Sequence, residues 1–294
     1  MILKEIAQRR EFNYRRTPER RLRSVAGARA FVAEVGFCHF WPIKGAELPN
    51  LFHAIAGQNR VVPNEHGDPD LSKCWSWKDR ALDQKWWYYG KLLRRRATLV
   101  SLAELPYFYA LSENYGDLDD YLQEYEDGRL SAEARAIYEA LLQHGPLDTL
   151  RLRREARLSA KSAKSRFDRA LAELQVGLKI LPVGVAEAGA WRYAFVYELL
   201  PRWLPHVPEQ AQEIGRGEAR RHLVLRYLDN VVAADRKMIS KVFYVLQWTA
   251  AELDRAISDL LQEGCIREMQ VKGLEHSQVI SIRTFERFGQ VGRD

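Results

Sequence analysis

Between residues 131 and 200 apolar and polar positions alternate with the clearest period in the chain. Ala134, Ile137, Tyr138, Leu141 and Leu142 recur every three or four residues behind Ser131 and Glu133, a good N-terminal cap and an acidic first turn. This predicts a helix that stops at His144-Gly145-Pro146. A second short helix fits Asp148 to Ala156. A third follows with Ser159 as its cap, and Phe167, Leu171 and Leu174 share one of its faces. Two strand-like runs, Leu178 to Val185 and Trp191 to Glu198, flank the turn Glu187 to Ala190. Three helices and a hairpin is the order of a winged helix.

The same order returns without sequence similarity. Helices fit Glu218 to Asp229, Arg236 to Leu246, and Ala250 to Gln262 behind the cap Thr249. Gly264 ends the last of these, and strands Cys265 to Val271 and Val279 to Phe285 enclose the turn Lys272 to Glu275. Pro201, Pro205 and Pro208 mark a linker between the two modules. The first part is less regular. Pro18 to Val35 and Leu51 to Ala56 read as helices, Val62 to Asp70 as a loop, and Trp86 to Arg96 and Leu102 to Leu111 as helical, with a weaker stretch at Thr98. The expected fold class is therefore mainly α with small β-hairpin wings, a tandem winged-helix architecture. Its parts are an N-terminal helical region with an aromatic cluster and partial winged-helix character over 1–127, a central module over 128–205 and a C-terminal module over 206–294.

Composition narrows the class. The 294 residues are 47% hydrophobic and 29% charged, as in a soluble globular chain. No apolar run approaches the roughly 18 residues of a membrane helix, and the opening MILKEIAQRR lacks the apolar core of a secretory leader. Cys38, Cys74 and Cys265 lie far apart, so neither a disulfide framework nor a metal cage is expected and a cytoplasmic setting is the natural expectation.

Charge is sorted along the chain. Eight basic residues against two acids between Arg151 and Ala170 give that segment an excess of +6, equal to the net charge of the whole protein. Arg9 to Arg23 holds seven arginines, and Glu113 to Asp127 holds seven acids and no base. Sorting of this kind points to a polyanion-binding face.

The third helix of the central module, SAKSAKSRFDRALAEL, explains its own asymmetry. Its rear packs on the core, and its front is where a helix-turn-helix enters the major groove. There Ser159, Ser162 and Ser165 suit phosphates, while Lys161, Lys164 and Arg166 suit phosphates or base edges, with Arg154 and Arg157 alongside. Double-stranded DNA is the expected partner; a basic face used for protein contacts is the alternative. The corresponding helix of the C-terminal module carries Glu252, Asp254 and Asp259, which repel phosphate and suit a buttress or partner surface.

Four tryptophans fall in CWSWKDRALDQKWWYYGKLLRRR beside Lys91, Arg94 and Arg95. Such rings stack on unpaired bases or line a base pocket, or they fill a core. Trp75 and Trp77, at strand-like spacing, are the preferred base-contacting pair. His39, in GFCHFWPI, suits either a general base or water-holding group or a structural histidine. No phosphate-loop, GxSxG, HExxH or dinucleotide fingerprint is present, and neither a metal nor another cofactor is expected.

Taken together, WWYYGKLLRRRATLVSLAELPYF, the 131–200 module and the helix-hairpin tail resemble the bacterial winged-helix DNA glycosylases of the AlkZ/YcaQ type. That resemblance implies tandem winged-helix modules and hydrolysis of the N-glycosidic bond of alkylated or crosslinked purines. It also sets the family's Gln-x-Gln or Gln-x-Asp motif against GFCHFWPI, with His39 at the first glutamine and Trp41 at the second polar position. The family's Tyr-Trp-x-His-Glu stretch falls on Tyr88 to Leu92, where Lys91 is the polar residue. Tryptophan only donates hydrogen bonds, so His39 is the water-orienting candidate, with Trp41, Trp75 and Trp77 near the base. A non-catalytic DNA-binding or regulatory protein on the same scaffold is the other reading.

Overall fold

The computed structural model describes residues 3–65, 67–189 and 192–284. The chain divides into two compact units, one formed by residues 1–77 with 215–294 and one by residues 78–214. Both are mainly helical, with small antiparallel sheets.

The unit 78–214 is organised around the helices Ala132–His144, Thr149–Glu155 and Lys164–Val176. Ser131 caps the first by accepting the Ala134 N–H at 3.2 Å, and Gly145, at φ 73°, ends it. Asp148 caps the second through the N–H groups of Leu150 and Arg151. The periodic residues of the third helix, Phe167, Leu171 and Leu174, all turn inward against Ile137, Leu141 and Leu152. Behind them Ile180–Ala186 and Ala194–Leu199 form the hairpin, and the short strand Leu147–Asp148 pairs with the far side of Ala194–Leu199.

The third helix begins later than its sequence predicts. Ser159 does not cap it: Lys161–Ala163 forms a 3-10 turn, and the α-helix runs from Lys164 without a side-chain cap. Trp191, expected to open the second strand, lies outside the described residues. Trp86 to Arg96 is not a helix. Tyr88–Lys91 and Ala97–Val100 pair antiparallel, and Leu93–Arg95 makes the turn between them. The aromatic and β-branched flanks favour strands, and Arg94 and Arg95, at φ 56° and 53°, take the left-handed backbone that such a turn needs. Leu102 to Leu111 narrows to the helix Leu105–Tyr109, with Pro106 in its first turn. Glu113 to Asp127 contains a helix of its own, Asp120–Glu126. This acidic segment is tied down by the buried Lys179, whose amine meets Glu124 at 2.7 Å.

The other unit joins both ends of the chain. Its helices are Leu3–Asn13, Val25–Val35, Leu51–Ala56, the first nine residues of Pro69–Asp83, Arg216–Val231, Arg236–Phe243 and Ala250–Gln262. Ala233–Ala234, Gln278–Ser281 and Ile266–Met269 form its sheet, with Gln278–Ser281 in the middle. Arg10 fixes the N-terminal helix to the end of the Arg216–Val231 helix and the strand after it by donating to the carbonyls of Val231 at 2.8 Å and Ala233 at 2.7 Å. The helix expected over Pro18 to Val35 starts only at Val25, where Ser24 caps it. The loop expected over Val62 to Asp70 ends at Pro69, where Asp68 accepts the Asp70 and Leu71 N–H groups. The strand expected to run to Phe285 ends at Ser281, and Phe285 lies outside the described residues.

Candidate nucleic-acid interface

The leading end of the Lys164–Val176 helix is open to solvent. Lys161, Ser162, Lys164, Ser165 and Arg166 are all exposed, whereas Ala163 and Phe167 between them are buried. A 3-10 turn that feeds an α-helix keeps the apolar pair inward and turns the hydroxyl and amine groups outward. Arg166 meets Glu133 at 2.9 Å and is still more than half exposed. Lys161 and Lys164 have no ion pair among the described residues.

The approach to this end is held by one residue. Arg153 donates to the Leu158 carbonyl at 3.1 Å and to the Ala160 carbonyl at 3.3 Å, and its guanidinium also lies over the Phe167 ring. Arg157 turns the chain at φ 58°, and Arg154, Arg157 and Ser159 are exposed. Sequence reasoning counts Arg153 in the basic run but sets only Arg154 and Arg157 beside the helix front. The structure separates Arg153, which is spent on the backbone, from its exposed neighbours.

Lys91, Arg94 and Arg95 belong to the same unit but lie elsewhere on it. The Lys91 N–H donates to the Gln175 side chain at 3.0 Å, and Tyr88 donates to the Gln175 carbonyl at 3.1 Å. This turn is therefore docked at the rear of the basic helix, roughly 16 Å along its axis from Lys164. In the C-terminal module the acids of Ala250–Gln262 are not bare: Glu252 pairs with Arg220, Asp254 with Arg236 at 3.1 Å and Asp259 with Arg221 at 3.4 Å.

The residues proposed for base chemistry lie in the unit 1–77 with 215–294. His39 is 1% exposed and sits on the strand Phe37–His39, its N–H donating to the Pro49 carbonyl at 2.9 Å. Trp41 packs edge-on against Phe40, Phe52 and Trp75, with ring centroids 4.3, 5.7 and 5.9 Å away. Trp75 and Trp77 do not have strand spacing, because both lie on the helix Pro69–Asp83. Two residues of helix turn the second ring about 200° from the first, so they do not form one aromatic face. Trp75 is 39% exposed and Trp77 half-buried.

One polar cluster in the unit 78–214 goes beyond the sequence reading, which sets Lys78 only among the basic residues beside the tryptophan rings. Lys78 is fully buried among Tyr89, Tyr193 and Phe195, its amine 4.3 Å from the Phe195 centroid. The amine meets Asp79 and the Tyr193 hydroxyl, each at 2.6 Å, and Tyr193 donates to Asp79 at 2.8 Å. Burial lowers the Lys78 pKa to about 8, and the hydrogen bond to Asp79 opposes that shift. A lysine inside an aromatic run was the available signal. Among the described residues no group of three or more His, Cys, Asp or Glu side chains could hold a metal ion, and no helix is long and apolar enough to cross a membrane.

A family model described as AlkZ related matches residues 22–244, about three quarters of the chain. The chain belongs to the AlkZ-related family. The match takes in GFCHFWPI, the aromatic run and the whole central module. Among solved structures, this member of the family is similar to Streptomyces sahachiroi DNA glycosylase AlkZ, at 13% identity and a TM-score of 0.55 over 96% of this chain and 71% of that one. At this identity the likeness is one of fold. No curated protein matches.

Proposed function

We propose that this AlkZ-related protein is built of an N-terminal region over 1–127 and two winged-helix modules, over 128–205 and 206–294, and that it binds duplex DNA through the central one, the C-terminal one serving as a buttress or partner surface. The observation that carries the reading is the exposed front of the Lys164–Val176 helix, where Lys161 and Lys164 project from a turn whose apolar residues are buried. In a winged helix this is the segment that enters the major groove. The hydroxyls of Ser159, Ser162 and Ser165 and the guanidiniums of Arg154, Arg157 and Arg166 supply further phosphate contacts. Three unpaired cysteines support a reducing, cytoplasmic setting. Anisotropy of a labelled duplex at two salt concentrations tests the reading: binding that is strong at low salt and falls steeply is expected. Absent binding, or binding indifferent to salt, refutes it.

Family membership favours a second reading, DNA repair by hydrolysis of the bond between sugar and damaged base. Its chemistry needs a polar group that holds the attacking water, and His39 is the residue in the motif position. At 1% exposure the ring is closed to bulk water, so the reaction requires that it be uncovered. Incubation with an alkylated duplex, followed by detection of abasic sites, separates the readings. Release that disappears in His39→Ala, with the melting temperature unchanged, supports catalysis. Binding without release leaves a non-catalytic DNA-binding protein.

A further inference from the structure

A third concentration of positive charge lies between Asp83 and Glu104, where five bases stand without an acid: Lys85, Lys91, Arg94, Arg95 and Arg96. All but Lys85 fall at the tip of the hairpin formed by Tyr88–Lys91 and Ala97–Val100. The fold engages two of the five. Lys85 donates to the Trp203 carbonyl at 2.8 Å, and Arg94 is half-buried with contacts of its own. Lys91, Arg95 and Arg96 are exposed and have no ion pair among the described residues. Leu92 and Leu93, between Lys91 and the arginines, are fully buried. The tip thus repeats the arrangement of the helix front, with an apolar pair inward and cations outward.

The backbone at this tip is strained. Arg94 and Arg95, at φ 56° and 53°, are the central residues of a turn in which the Arg96 N–H donates to the Leu93 carbonyl at 3.0 Å. Both lie in the left-handed region, where a β-carbon crowds the following carbonyl and Asn-Gly is the favoured pair. Side chains kept against such strain concentrate at functional positions, and no ion pair of Arg95 among the described residues offsets it. The turn is held in place all the same, by the Lys91 N–H on the Gln175 side chain and by the Thr98 hydroxyl, which donates to the Arg96 carbonyl at 2.8 Å. The acids of the helix behind it face elsewhere. Glu173 is turned to Ser131, accepting its N–H at 2.8 Å and its hydroxyl at 2.7 Å, and Asp168 stands about 10 Å nearer the front than Gln175.

We propose that this hairpin tip is a second nucleic-acid contact, in which Lys91, Arg95 and Arg96 take phosphates of the duplex backbone beyond those met by the front of the Lys164–Val176 helix. This contact presupposes the duplex reading and adds to it an anchor at the other end of the same helix, roughly 16 Å from Lys164. The planar fork of arginine matches two phosphate oxygens at once, and a turn already fixed in shape loses little freedom on binding. Phosphates are the same whatever the base sequence, so the tip contributes affinity and orientation and leaves sequence choice to the helix front.

The full-length protein carrying both Arg95→Asn and Arg96→Gln tests it. Asparagine tolerates the left-handed turn, so the melting temperature should equal or exceed the parent's. Affinity for duplexes of unrelated sequence should fall roughly tenfold alike, and the slope of log affinity against log salt should drop by roughly 1.8, about 0.9 for each phosphate released. Lys85→Gln removes a charge from the same acid-free stretch away from the tip and should change little. An equal loss per charge in Lys85→Gln reduces the effect to a general field and overturns the contact, as does parent-like affinity and slope in the double variant. In both cases the duplex reading stands, because the parent still binds with a steep salt dependence. A parent that binds no duplex refutes the two together. If the double variant melts below the parent, Lys91→Gln decides instead: its side chain lies outside the strained turn, and the slope should drop by about 0.9 or the contact is overturned.

Discussion

Burying a lysine is expensive, and Lys78 has no exposed surface at all. Its folded pKa, lowered by desolvation to about 8, compares with 10.5 for a free lysine. Between those values the unfolded chain binds more protons than the folded one, so this group makes the protein more stable as pH rises through that window. The full gain is about 3 kcal/mol. Urea unfolding of the parent and Lys78→Met at pH 7.5 and pH 10 reads it: the difference should move in the parent's favour at the higher pH, and a constant difference contradicts the burial argument. Asp68 has the opposite sign. The paired hydrogen bonds from Arg60, both at 2.9 Å, and then the Leu71 N–H hold its pKa at about 2, against 3.8 when free. Its contribution is complete above the free value and disappears as the folded carboxylate is protonated. Asp68→Asn should therefore melt below the parent at neutral pH, and the gap should close between pH 4 and pH 2. Neither residue was legible as a sequence position, because both depend on partners brought in by folding.

Elements that carry their own boundary signals were legible; elements defined by their neighbours were not. Thr249 and Glu252 form a reciprocal capping box at the start of Ala250–Gln262, and the predicted helix has those bounds. Thr249→Ala should cost about 1 kcal/mol in denaturant unfolding; no loss would show the cap to be redundant. Ser131 and Gly145 likewise frame Ala132–His144. The hairpin of Tyr88–Lys91 and Ala97–Val100 has no glycine or asparagine in its turn, and its Leu92-Leu93 pair with three following arginines imitates one side of a helix. Buried Gln175 settles the choice, by accepting from Lys91 and donating to Leu171, and its position far along the chain is invisible to a local pattern. The Trp75 and Trp77 spacing failed for a related reason: alternation over three residues is too short to distinguish a strand from a helix that buries parts of two faces.

On the scale of the whole molecule, net charge is a poor guide and its placement a better one. Seven of the eight basic residues of the 151–170 segment stay exposed after folding, while the acids of the Ala250–Gln262 helix are occupied by Arg220, Arg221 and Arg236. If the duplex reading holds, replacing Lys161 and Lys164 together by alanine should lower the slope of log affinity against log salt by roughly 1.8, about 0.9 for each phosphate that is no longer neutralised. An unchanged slope would place the interface on another face. The sorted charge and the three-helix order of the central module could be read directly from the chain. The position of His39 could not: a histidine beside Cys38 and Phe40 fits an open cleft or a sealed wall, and only tertiary packing decides for the wall.

The grip of Arg153 on the carbonyls of Leu158 and Ala160 has a kinetic corollary. A loop already set in its final shape surrenders little freedom when a partner arrives, so encounter should be governed by diffusion and charge, without a slow folding step. Arg153→Lys keeps the charge but cannot span two carbonyls with a planar fork. If the duplex reading holds, stopped-flow mixing with a duplex should show this conservative change slowing association, although no surface charge has been removed.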